Sequence, residues 1–116
     1  MNPFAEIAEA ELQGLTPARA RELVVRCFYN AQKETFARAA KSLGTAPGED
    51  AMKRMVEGAV RLAFRAVKAD FEHPTKQTLA QAVTELATKA AAMGTPPDII
   101  AHHKGQLGRL FAALPD

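Results

Sequence analysis

Apolar side chains recur along this chain at three- and four-residue steps, the spacing that places them on one side of an α-helix. Between residues 17 and 43 the stripe is Ala20, Val24, Cys27, Phe28, Ala31, Thr35 and Ala39, widened by Val25, Tyr29, Phe36 and Leu43. Between 49 and 72 it is Met52, Met55, Val56, Ala59, Val60, Ala63, Phe64, Val67 and Phe71. Leu79, Val83, Leu86, Ala90 and Met93 mark a third stripe over 76–93. Ile100, His103, Leu107, Leu110 and Leu114 mark a fourth, over 97–113. The polar positions between them leave one wet face on each segment. The pattern predicts four amphipathic helices, with a shorter helix at 3–13 acting as a lid or partner contact.

The breaks between stripes carry turn chemistry. Gly14-Leu15-Thr16-Pro17, Gly44-Thr45-Ala46-Pro47 and Gly94-Thr95-Pro96-Pro97 share an order of glycine, threonine and proline. Glycine adopts the left-handed conformation that ends a helix, threonine caps the next one, and proline fits its first turn. Asp98 stands three residues after Thr95, the spacing of a capping box. Pro74 bars His73 from helical geometry and so makes a further break. No linker is long enough to divide the chain. The expected fold is therefore an all-α bundle of four to five helices, one domain over residues 1–116. The segment over 17–43 would run about 40 Å, so it overhangs its neighbours or bends.

Composition sharpens this picture. Hydrophobic residues make up 47% of the 116, but 24 of them are alanine, which favours helix and buries little area. Valine and isoleucine together number nine and aromatics are 6%, so sheet-forming material is scarce. These proportions exclude a collagen, a disulfide scaffold, a disordered tail and a membrane protein. Large apolar side chains are few for four long helices. The core should be thin and the helices closely spaced, and burial between subunits becomes attractive.

Charge and cysteine say less. A net charge of +2 is mild for a nucleic-acid or polybasic membrane protein. A single cysteine, Cys27, forms no internal disulfide and fits a reducing compartment. With no signal-peptide pattern and no long apolar run, a cytoplasmic location is expected and no membrane association.

Candidate chemistry is sparse. Asp98 and His102, at i and i+4, share a polar helix face, and Asp70 and His73 form a second pair near a helix end. If the pairs met, they would supply the carboxylate and imidazole ligands of a zinc or iron site. Bundle metal sites usually add Glu-x-x-His motifs, which are lacking here. Cys27 lies on an apolar stripe, which suits a small buried hydrophobe better than a thiolate nucleophile. There is no phosphate-binding glycine loop, no nucleophile elbow and no paired cysteine motif, and the one serine, Ser42, precedes a helix end. No cofactor is implied.

Two patterns point to binding. Arg54, Arg61, Arg65 and Lys68 fall within about 60° on the 49–72 helix, as in a nucleic-acid stripe. Asp50, Glu57 and Glu72 lie beside them at salt-bridge spacing, which reads more simply as a solvated ladder. Ala101, Gly105, Gly108 and Ala112 form a ridge almost without side chains, also within about 60°. Each mid-helix glycine costs up to about 1 kcal/mol against alanine, so an offsetting close contact is expected there, within the chain or with a second copy. His103 on the neighbouring stripe joins this interface set. The expected role is a non-enzymatic, cytoplasmic protein acting through protein contacts as a homodimer. The alternatives are nucleic-acid binding through the basic stripe, or a metal-dependent enzyme using the Asp/His pairs.

Overall fold

A computed structural model of the chain describes residues 7–44 and 48–115, with Ser42 and Leu43 described by backbone alone. It contains a short 3-10 helix, Glu9–Leu12, and four α-helices: α1, Pro17–Leu43; α2, Glu49–Ala66; α3, Lys76–Ala92; and α4, Pro97–Ala113. No strand occurs among the described residues. Of the helix expected over 3–13, the described part, 7–13, holds that single 3-10 turn; the first residues lie outside the described set. The 45–47 part of the Gly-Thr-Pro turn also lies outside it.

Capping chemistry sets most of the boundaries. Thr16 Oγ1 accepts the Arg19 amide at 3.2 Å to open α1. Thr75 and Thr78 cap α3 reciprocally, each side chain accepting the other's backbone N–H, at 3.1 and 2.9 Å. At the end of α3, Gly94 takes φ +89 while the Thr95 amide donates to Ala90 O and the Gly94 amide to Ala91 O. That is a Schellman closure on glycine. Thr95 is spent in this turn, so the expected Thr95–Asp98 capping box is not formed. Pro96 occupies the N-cap of α4 without a side-chain hydrogen bond.

The end of α2 departs from the sequence reading. The helix stops at Ala66, six residues before the expected 72. Lys68 adopts φ +57 and donates its N–H to Arg65 O at 3.0 Å, and Ala69 donates to Phe64 O at 2.9 Å. This is the same Schellman geometry, built on lysine where glycine is usual. Val67, Lys68 and Phe71 consequently lie beyond the helix.

The core is assembled from all four α-helices. Leu23 and Val24 of α1, Val60 and Phe64 of α2, Leu79 of α3 and Leu110 of α4 are all at or below 1% exposure. Ile99, also 1% exposed, takes the inward position expected of Ile100. On α1 no described side chain after Ala31 is buried, so its last three turns extend past the core. The longest dimension of the molecule, 44 Å, is close to the length of this helix. Helix α2 packs most extensively on α3, and α1 on both α2 and α4, while α3 and α4 share a shorter contact. That shorter contact opens the surface described next.

Candidate interaction surface

Helices α3 and α4 flank a groove of about 580 Å³. The α3 wall consists of small side chains, among them Ala80, Thr84, Ala87, Thr88 and Ala91, and the α4 wall of Ile100, His103, Lys104, Leu107, Gly108 and Phe111. Phe28 and Ala31 of α1 form part of the floor. The groove follows from the alanine-rich composition: α3 offers too little side-chain volume to fill the space toward α4.

The ridge foreseen in the sequence borders this groove. Ala101, Gly105, Gly108 and Ala112 are all exposed. A Cβ placed on Gly105 or Gly108 meets no atom within 4 Å. Among the described residues, then, no helix of the same chain lies over the ridge.

His103 does not lie on the ridge but turns inward. Its ring stands edge-on to Phe28, with centroids 4.1 Å apart and planes at 87°. Its Nε2 is covered and makes no hydrogen bond to a described residue. Burial pushes its pKa down to about 4, and the charge of the adjacent His102 acts in the same direction. Cys27, Asn30, His102 and Gln106 line a small cleft beside it. Gln106 is buried, and its Oε1 accepts the Ile7 N–H at 2.9 Å and an Arg109 N–H at 3.2 Å. Cys27 is buried too, and burial raises its thiol pKa to about 11, so it is held as the uncharged thiol. The neighbouring Arg26 guanidinium is committed to Glu11, at 2.6 and 2.9 Å.

Of the candidate metal ligands, Asp98 is drawn to another partner. Asp98 is gripped by both terminal nitrogens of Arg38, at 2.8 and 2.6 Å, and this holds its carboxyl below the usual range. His102 of the same pair sits between α1 and α4, at the Cys27 cleft. Asp70 and His73 are bonded to each other at 2.8 Å in the exposed α2–α3 connection. Among the described residues no three His, Cys, Asp or Glu side chains gather as a metal-binding group.

The basic stripe is split. Arg61 reaches Glu57 at 3.1 Å and Glu72 at 3.3 Å. It also lies over the Phe71 ring at 4.1 Å, and Arg21 stacks on the same ring at 4.7 Å. Lys68 is off the helix. Arg54 and Arg65 remain exposed on α2 and form no ion pair with a described residue.

Sequence reasoning missed Asn30 and Gln106 as inward-facing polar groups. Gln106 had a local signal, its place on the same arc as Leu110, whereas the Arg38–Asp98 bond joins residues 60 apart and has none.

No protein-family model, curated protein or solved structure that was compared matches the chain. Among the described residues no helix is long and apolar enough to cross a membrane.

Proposed function

We propose that this chain is a non-enzymatic helical-bundle protein that acts through protein–protein contact, and that it does so as a homodimer joined along α4. One observation carries the reading: the exposed ridge is palindromic. Ala101, Gly105, Gly108 and Ala112 lie symmetrically about the point between Gln106 and Leu107 in both spacing and residue type. An isologous interface places residue i against j and j against i. Two antiparallel α4 helices centred on that point set Gly105 against Gly108 and Ala101 against Ala112 of the second copy. Backbones approach closely where side chains are this small, and the flanking Lys104, Phe111 and Ile100 then cover part of the α3/α4 groove.

A buried thiol that needs no disulfide supports a cytoplasmic setting for this dimer. Size-exclusion chromatography with light scattering tests the proposal. A dimer is expected at micromolar concentration, and a Gly105→Leu, Gly108→Leu double variant should run as a monomer with unchanged helicity. Wild-type protein that stays monomeric at high micromolar concentration removes the reading.

A further inference from the structure

A second surface, on α2 and the end of α3, is built differently. On α2 the residues Ala51, Met55, Ala59, Leu62 and Ala66 fall within an arc of about 80°, next to the buried stripe but outside it. All five are exposed. Met55 keeps 45% and Leu62 55% of its surface in solvent, and Met93, at the end of α3, keeps 83%. Between Met55 and Met93 opens a socket of about 140 Å³ with Phe28, Phe36 and Leu86 among its walls. An apolar cavity of roughly 150 Å³ holds a benzene-sized group. Methionine adapts readily to the shape of what binds it.

Along one side of the stripe run Arg54, Arg61 and Arg65, within about 40°. Arg61 is occupied by Glu57 and Glu72, but Arg54 and Arg65 are free of ion pairs with described residues. Across the socket stands Lys89, held loosely by Glu85 at 3.7 Å.

We infer that the outer face of α2, with the Met55–Met93 socket, docks an amphipathic helix of another protein, one that inserts a large apolar side chain and presents acidic residues to Arg54 and Arg65. Helix-in-groove recognition reads apolar anchors spaced three and four apart, and charge complementarity sets orientation and encounter rate. A second copy of this chain is the wrong occupant. A two-fold antiparallel pairing of this face sets each arginine border against itself, and like charges oppose the contact. A bilayer is a poor match as well, because three of the five stripe residues are alanine and the deepest apolar feature is a socket rather than a protrusion. Nucleic acid would satisfy the arginines while leaving Met55 and Leu62 in water.

The test is a selection from a displayed library of helical peptides about four turns long, run on the full chain. Peptides bearing one or two Leu, Phe or Met anchors flanked by Asp or Glu should be enriched. Their affinity should fall at least about tenfold on a Met55→Glu, Leu62→Glu variant. An Arg54→Glu, Arg65→Glu variant should instead prefer the same anchors flanked by lysine. Both variants change exposed positions, and circular dichroism and thermal unfolding confirm their folding before use. Methyl NMR should move the Met55 and Met93 signals when a selected peptide is added. The inference is overturned by no enrichment, by enrichment without an acidic bias, or by binding that the Met55→Glu, Leu62→Glu variant retains. Binding to anionic vesicles or duplex DNA that depends on Arg54 and Arg65 but not on Met55 and Leu62 overturns it equally.

Discussion

The His103 and Phe28 rings stand perpendicular to one another, 4.1 Å between centroids, where α4 meets α1. A charged imidazolium in that position loses its hydration and finds no hydrogen-bond acceptor at Nε2 among the described residues. The folded chain therefore keeps His103 neutral, with a pKa pushed down to about 4 against 6.5 for the free side chain. As pH falls, the unfolded chain takes up this proton first. The stabilisation is complete above pH 6.5 and is lost as pH falls toward 4, and it amounts to about 3 kcal/mol in full. Urea unfolding between pH 7.5 and 4.5 should record that decline in the wild type. In His103→Leu the part of the slope between these two pKa values should disappear; an unchanged slope would place its origin in other groups.

If α4 forms the proposed dimer contact, Gly105 and Gly108 should respond to alanine in opposite ways in folding and in association. Nothing lies within 4 Å of a Cβ at either site, so each added methyl group is accommodated in the monomer. Alanine in an exposed helix interior is more favourable than glycine by up to about 1 kcal/mol. The double Gly→Ala variant should raise the melting temperature of the dilute monomer and weaken the proposed dimer, because methyl groups at its crossing point would push the two backbones apart. Thermal unfolding at low concentration and analytical ultracentrifugation read the two effects separately. Higher stability with unchanged association would mean that α4 does not form the dimer contact.

The helices themselves were legible because their period is local. Val24, Phe28, Val60, Leu79, Val83 and Leu110 are core residues on arithmetic alone, and Thr16, Gly44 and Gly94 announce ends by their own conformational preferences. Several inward positions were misread: Ile99 is buried where Ile100 was expected, Met55 and Ala59 of the expected α2 stripe are exposed, and Met93 is exposed because α3 closes just before it. A stripe extended by spacing cannot sense where a helix stops. The glycine ridge was visible as a pattern, but its exposure depends on which face of α4 packs on the other helices, a tertiary property. The Arg38–Asp98 grip and the two arginines stacked on Phe71 join distant parts of the chain and left no trace in the sequence.

Cys27 should be chemically quiet in the folded protein. Burial raises its thiol to about 11, and the adjacent Arg26, bound to Glu11, only partly offsets this. At pH 8 the thiolate is then about one part in a thousand of the total, before the cover over the sulfur is counted. Reaction with a disulfide reagent should be at least about 100-fold slower than that of free cysteine. It should accelerate with denaturant as opening becomes frequent. Labelling at the rate of free cysteine in native buffer would contradict both the burial and the reading of Cys27 as a core residue.

Lys68 is the one described non-glycine residue in the left-handed region, at φ +57, and it closes α2 in a position that glycine fills at the end of α3. For an L-residue this conformation costs about 1–2 kcal/mol, because Cβ approaches the following carbonyl. The Schellman hydrogen bonds from Lys68 and Ala69, together with the seating of Phe71 between Arg21 and Arg61, hold the turn in place. Lys68→Gly removes the Cβ conflict while keeping every backbone bond. Part of the gain is returned as extra freedom in the unfolded chain. The variant should be more stable by about 0.5–1 kcal/mol in urea unfolding, with α2 unchanged in length. Lys68→Val, with a branched Cβ in the same place, should lose at least as much. If Lys68→Gly were destabilising and Lys68→Val neutral, α2 would have to continue past Ala66 in solution, toward the residue-72 limit that the apolar stripe alone suggests.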